Sequence, residues 1–178
     1  MNKNLYEQAG YGSRQIGLGE WPAIVVIDCM TTHFNKAFLP NDGVPTSIRE
    51  TPLKMRLIDK LPPILHLARD KGIPVIACNN VYQSVQHVMP YWKIDYVVRT
   101  NIAGSPHVEI DPRLVDLEKD LLISKTGPSI FHETPLQSYL TRNRVDTLIV
   151  TGLNTSGCIR ATAIDGFQRG YRVAVVED

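Results

Sequence analysis

The hydrophobic positions of this chain fall into two alternating kinds of segment. Short, nearly unbroken apolar runs occur at Ala23-Ile24-Val25-Val26-Ile27-Asp28, Ile73-Pro74-Val75-Ile76-Ala77-Cys78, Leu121-Leu122-Ile123-Ser124-Lys125, Thr147-Leu148-Ile149-Val150-Thr151-Gly152 and Arg172-Val173-Ala174-Val175-Val176. Runs of this kind predict strands covered on both faces. Between them the apolar residues follow a helical period. From Thr51-Pro52 to Lys71, Leu57, Ile58, Leu61, Ile64, Leu65 and Ala68 recur at helical spacing, and Gly72 stands where a stop belongs. Pro62-Pro63 predict an interruption or a division of that helix. Pro135 to Asn143 predicts a short helix. Gly157 to Gln168 predicts another, with Ala161, Ile164 and Phe167 as its buried stripe and Gly170 as its stop. Residues 36–52 read as a long loop, and the first twenty or so as an irregular arm ending at Trp21-Pro22. The pattern over 79–110 is ambiguous, with aromatics at Tyr82, Tyr91, Trp92 and Tyr96.

Apolar strands that alternate with helices imply right-handed crossovers and parallel pairing. The predicted fold is therefore α/β: an open, doubly wound parallel sheet, a Rossmann-like three-layer sandwich. The length of 178 residues fits one domain over 1–178, with residues 1–20 as its arm.

Composition narrows the partners. Apolar residues make up 43% and charged residues 21%, ordinary values for a chain that buries a core. The net charge of +1 points to neither nucleic acid nor an anionic membrane. No apolar stretch approaches the length of a bilayer span, and Met1 to Gln8 lacks the apolar segment of a signal peptide. A cytoplasmic protein is expected. Cys29, Cys78 and Cys158 are odd in number and widely spaced, which is neither a disulfide framework nor a zinc pattern. Cys29 and Cys78 read as small buried hydrophobes. His33, His66, His87, His107 and His132 show no metal spacing, and Gly10, Gly12, Gly17 and Gly19 precede the first strand instead of following it as a phosphate loop would. No cofactor and no metal are expected.

Doubly wound sheets bind ligands outside the carboxyl ends of their strands. Asp28 ends the first strand, Lys125 ends the third, and Cys158 follows the fourth after a short turn. Thr155 or Ser156 is placed to cap the helix that carries Cys158. A thiol in that first turn would meet the positive end of the helix dipole, which lowers its pKa. Gly157 would admit a close substrate, and N–H groups of the turn could face a carbonyl oxygen. Each residue also has a plainer reading: Asp28 as a cap or ion-pair partner, Lys125 as a surface lysine, Cys158 as an inert buried thiol. The residues alone leave both readings open. Together they are what thiolate chemistry needs, a carboxylate to accept the proton and a cation to stabilise the charge left behind.

At this point the chain resembles the isochorismatase-like cysteine hydrolases over almost its whole length, closest to the N-carbamoylsarcosine amidohydrolase and maleamate amidohydrolase branch. The resemblance rests on Ala23 to Asp28, on Lys125 with Ser129-Ile130-Phe131 and Thr134-Pro135-Leu136, on Thr151 to Thr162, and on the opening Tyr6-Glu7-Gln8-Ala9-Gly10-Tyr11-Gly12. It implies Cys158 as nucleophile, Asp28 as general base and acid, and Lys125 as the third member of a triad. It also implies a non-proline cis peptide between Leu153 and Asn154, and an oxyanion hole from the N–H groups of Asn154 and Cys158. There are departures. Leu153-Asn154 stands where the family has Thr or Ala-Thr. The metal motif of nicotinamidase relatives is replaced by Asn79-Asn80-Val81-Tyr82-Gln83, with only His87 nearby. Relatives that act on isochorismate lack the cysteine. Relatives also continue past the position of Asp178, and the carbamoylsarcosine branch carries a carboxylate-binding arginine there, so the chain reads as a short or truncated member.

The reading that follows is an amidohydrolase that cleaves a C–N amide or ureido bond of a small linear substrate resembling N-carbamoylsarcosine, with release of ammonia. The alternatives are a maleamate- or nicotinamide-type amidase and a non-catalytic small-molecule-binding member. Substrate contacts are expected from Phe34, Thr155, Arg160 and His132. His33 is a further candidate for the pocket, and Phe34, Phe38, Tyr82 and Trp92 are either its walls or core or interface aromatics. The expected partner is a small-molecule amide, and the expected assembly a homo-oligomer, a dimer or a tetramer.

Overall fold

The structure is a computed structural model, and it describes residues 5–10, 12, 14–34, 52–90 and 95–176. Five strands form one sheet: β1 (Pro22–Ile27), β2 (Val75–Asn80), β3 (Leu121–Lys125), β4 (Thr147–Gly152) and β5 (Arg172–Val175). Every pairing is parallel, and the spatial order is β3-β2-β1-β4-β5. The helices are α1 (Leu5–Gln8), α2 (Pro52–Asp70), α3 (Asp95–Thr100), α4 (Leu136–Arg142) and α5 (Arg160–Gln168). This is the α/β sandwich that the alternating pattern predicts.

The continuous apolar runs have a direct physical cause. Along β1, Ile24 and Val26 join one core with Leu57, Leu61 and Leu65 of α2. Ala23, Val25 and Ile27 join a second core with Leu136 and Leu140 of α4. Side chains of a strand alternate between faces, so a central strand covered on both sides must be apolar at every position. Among the described residues, no helix is long and apolar enough to cross a membrane.

Three helical expectations need correction. α2 runs unbroken through Pro62 and Pro63. Pro62 is half-buried and Pro63 exposed, so neither ring has to be fitted into the core against which Leu61 and Leu65 pack. Ile64 of the same helix is 50% exposed instead of joining the core. In α5 the inward residues are Thr162 and Gly166, preceded by Ile159, while Ile164 and Phe167 lie exposed. The Thr162 hydroxyl accepts from Ile130 N at 3.3 Å. A Cβ at Gly166 would come within 2.9 Å of Leu148 Cδ1. Small residues let this helix lie close on the sheet, and that close packing turns the apolar stripe outward.

The strand ends converge at one edge. Register pairs Ile27 with Cys78 and with Gly152, and Asn80 with Lys125. The order reverses between β1 and β4, which is where doubly wound sheets open a crevice.

Candidate active site

β1 leaves the sheet at Asp28, whose φ of 50° lies in the left-handed region that few non-glycine residues adopt. Its N–H donates to Cys78 O at 3.0 Å, and its side chain is buried. β4 leaves at Gly152, with φ of 114°. A Cβ there would stand 2.1 Å from Ile27 O, so only glycine allows β4 this close to the end of β1. Leu153 N then donates to Ile27 O at 2.8 Å, and the peptide from Leu153 to Asn154 is cis.

Cys158 does not sit in the first turn of a capped α-helix. It lies in a wide turn, Thr155–Ile159, which is non-helical at Gly157, and α5 begins only at Arg160. No side chain caps that turn. Instead Gly157 N and Ile159 N donate to Asn154 O at 3.0 and 3.3 Å.

The three ionisable side chains meet. Lys125 Nζ donates to Asp28 Oδ2 at 2.8 Å and to Cys158 Sγ at 3.4 Å. Lys125 is 1% exposed and Asp28 6%. Burial alone would lower the lysine pKa, but the Asp28 carboxylate beside it outweighs that effect, and the ammonium is held above its usual range. The thiol departs from expectation. Burial, then the Asp28 charge and a hydrogen bond to Asp28, push Cys158 up to about 12, against a smaller lowering by Lys125. A thiolate added to a buried Asp–Lys pair would leave net negative charge in the interior, and no α-helix begins at Cys158 to offset that cost. The resting cluster is a carboxylate, an ammonium and a neutral thiol.

A cavity of about 230 Å³ opens beside them. This lies below the roughly 300–1,000 Å³ of drug-sized ligand pockets, so it suits a small ligand. Asp28, Cys158, Asn154 and Gly157 line it, together with His33 as expected. Among the described residues, Met30, Thr32, Asn80, Val97, Asn101 and Pro128 also line it and were not anticipated. Asn80 had a legible signal, a polar residue at the end of an apolar strand, whereas Asn101 had none.

The expected substrate contacts lie elsewhere. Phe34 is packed in the α2-side core. Thr155 and Arg160 line a separate groove with Ser156, Ile164 and Val175, because α5 starts later than predicted and turns that face outward. The His132 ring is half-exposed, with Nε2 3.9 Å from Glu133 Oε2. Tyr82 is fully buried and donates its hydroxyl to Thr126 O at 2.7 Å, so it supports the site from behind. Phe38 and Trp92 lie outside the described residues. Among the described residues, no group of three or more His, Cys, Asp or Glu could hold a metal ion.

Comparison with known proteins settles the ancestry. The isochorismatase domain model matches residues 22–178. The chain belongs to the isochorismatase family. Within that family it is 33% identical over 174 residues to an N-carbamoylsarcosine amidase of Arthrobacter sp, covering 95% of this chain and 62% of that relative. It is 29% identical over 171 residues to a maleamate amidohydrolase of Pseudomonas putida, covering 95% of this chain and 76% of that relative. The chain thus spans about three-fifths of the length of the first relative. Among solved isochorismatase-family folds, an N-carbamoylsarcosine amidase from Thermoplasma acidophilum superposes with a TM-score of 0.68 at 25% identity, over 88% of this chain and 82% of that one. A family member from Desulfovibrio vulgaris gives 0.73 at 26% identity, over 89% and 80%.

Proposed function

We propose that this protein is a cysteine-dependent amidohydrolase that cleaves a C–N amide or ureido bond of a small linear substrate resembling N-carbamoylsarcosine. The observation that carries the proposal is the Lys125 ammonium, 2.8 Å from the Asp28 carboxylate and 3.4 Å from the Cys158 sulfur, with both of these partners lining a small cavity. The names of the amidase relatives support the choice of bond.

The charge balance suggests how the reaction starts. Moving the thiol proton to Asp28 turns carboxylate, ammonium and thiol into carboxylic acid, ammonium and thiolate. Net charge is unchanged, so the transfer costs far less than releasing the proton to water. In the proposed cycle Cys158 Sγ attacks the substrate carbonyl as Asp28 takes its proton. The N–H groups of Asn154 and Cys158 receive the oxyanion. Asp28 returns the proton to the leaving nitrogen, which departs as ammonia, and the acyl group stays on sulfur, as a thioester from an amide or a thiocarbamate from a ureide. Asp28 then takes a proton from water, the hydroxide attacks that carbonyl, and the carboxylic or carbamic acid leaves as Asp28 returns the proton to the thiolate. Lys125 stays charged throughout and follows the negative charge between oxygen and sulfur.

Ammonia release over N-carbamoyl amino acids, maleamate, biuret and nicotinamide tests the substrate class. Cys158→Ala should abolish turnover and leave the fold intact, and turnover near wild type in that variant would end the proposal. The neutral resting thiol favours one second reading, a non-catalytic member that only binds a small molecule. Under that reading wild type releases no ammonia from any of these compounds yet binds one of them in calorimetry. We further propose a homo-oligomeric assembly, a dimer or a tetramer, which light scattering would read directly.

A further inference from the structure

Asn80 and Asn101 line the same cavity as Asp28 and Cys158, and each is 5% exposed. Their amides form a directional chain. Asn80 Nδ2 donates to the Lys125 backbone carbonyl at 3.2 Å. A carbonyl can only accept, so this bond decides which end of the Asn80 amide is nitrogen. Asn80 Oδ1 then accepts from Asn101 Nδ2 at 3.1 Å, and Asn101 Oδ1 accepts from the Thr100 hydroxyl at 3.0 Å. The Asn101 backbone is pinned as well: its N–H donates to Val97 O at 3.1 Å and its carbonyl accepts Tyr82 N at 2.8 Å. Both ends of the Asn101 side chain are therefore oriented before any ligand arrives.

An amide nitrogen carries two hydrogens. Asn80 spends one on Lys125 O and turns the other towards the Tyr82 hydroxyl. Asn101 spends one on Asn80, and among the described residues its second hydrogen meets no protein acceptor. A polar N–H buried at a cavity wall is costly unless a ligand or water accepts from it. No lysine or arginine side chain is among the described residues of that wall, so Asn101 offers a neutral donor there.

We infer that Asn101 is a specificity-determining residue, donating its second Nδ2 hydrogen to an oxygen acceptor at the end of the substrate remote from the scissile carbon. This rests on the amidohydrolase reading and deepens it. The substrate class becomes small linear amides or ureides that carry a second carbonyl or carboxylate oxygen. Asn80 acts as the positioning residue that orients Asn101.

Three compounds of similar length test this: N-carbamoylglycine with a carboxylate, its methyl ester with an uncharged carbonyl, and N-propylurea with no second acceptor. A site built around a buried donor rejects an analogue that leaves it unpaired, so wild type should favour at least one of the first two over N-propylurea by about tenfold in kcat/KM. Comparing acid with ester identifies the acceptor. Asn101→Ala should bring the ratio to N-propylurea close to one, whatever it does to the rate all three compounds share, since a lost substrate hydrogen bond separates only substrates that make it from those that do not. The ratio is taken on one preparation, so the fraction of active protein cancels. An unchanged ratio, or an equal fall for all three compounds, overturns the inference. If Asn101→Ala fails to fold, Thr100→Val releases Asn101 Oδ1 without altering the wall, and a ratio that stays at the wild-type value overturns the inference equally. The same ratio read as dissociation constants by calorimetry on Cys158→Ala protein needs no turnover. It therefore separates failure of the donor assignment from failure of the amidase reading.

Discussion

Cys78 Sγ lies 3.8 Å from Asp28 Oδ1, on the oxygen opposite the one that Lys125 holds. The thiol is fully buried, and burial followed by the Asp28 charge pushes its pKa well up. It therefore carries its proton and can donate it to the carboxylate. With one oxygen on an ammonium and the other on a thiol, the Asp28 side chain has little freedom to rotate. Cys78→Ala should lower kcat by roughly two- to tenfold, the worth of one modest hydrogen bond. Cys78→Ser, which keeps a donor, should recover most of that. Equal kcat in all three proteins would remove any role for Cys78 in holding Asp28.

Replacing Lys125 tests the ion pair itself. Lys125→Met fills nearly the same space but leaves a buried carboxylate without its cation. Breaking a buried pair from one side costs about 3–5 kcal/mol. Urea unfolding should show a loss of that size, and the double variant Asp28→Asn with Lys125→Met should regain most of it. A single variant as stable as wild type would mean that the pair is hydrated in solution.

The raised Cys158 pKa of about 12 changes what alkylation should look like. A thiol lowered by a helix dipole would react with iodoacetamide well below pH 8. The buried neutral thiol should instead react slowly at pH 7, with a rate still rising beyond pH 10, because only thiolate is nucleophilic. A plateau in the alkylation rate below pH 8 at Cys158 would contradict the burial argument.

Folding stability should share this pH dependence. The ordinary thiol value is 9.0, while folded Cys158 stands at about 12, and Cys29 and Cys78 are raised as well. Between these limits the folded state keeps protons that the unfolded chain has released. Stability is then complete below about pH 9 and declines as pH climbs towards 12. The raised Lys125 acts in the same direction. The urea midpoint should be lower at pH 10.5 than at pH 7.5, and Cys158→Ser should flatten part of the slope. A midpoint that rises over this range would reverse the assignment.

The strands were legible because burial on two faces leaves no room for polar residues, and β3 and β4 keep the bounds that the apolar runs predicted. Asp28, Lys125 and Cys158 stood out only as a set: each has a plain structural reading at its own position, but all three fall at the ligand edge of one sheet. What stayed hidden depends on distances that periodicity cannot encode. Thr162 and Gly166 face the sheet because they are small, so the larger Ile164 and Phe167 misled the reading of α5. Pro62 and Pro63 are tolerated because of where they point, which the spacing of apolar residues does not reveal. Asn101 reaches the cavity through a bridge between Tyr82 and Ile102, outside the sheet altogether. The protonation of Cys158 turned on how deeply it is enclosed, and the neighbouring letters carry no measure of that.

Gly152 bears on how this protein could change over time. Positions on the cavity wall present side chains, so substitutions there can retune what fits inside. At Gly152 the neighbouring strand occupies the space where any Cβ would go, and the backbone bends as L-residues rarely do. Diversification of this scaffold should therefore proceed by exchanging the wall while that single hinge of bare backbone stays fixed. A randomised library selected only for folding should return glycine at residue 152 and mixtures at exposed positions of the following turn, such as Thr155 and Ser156.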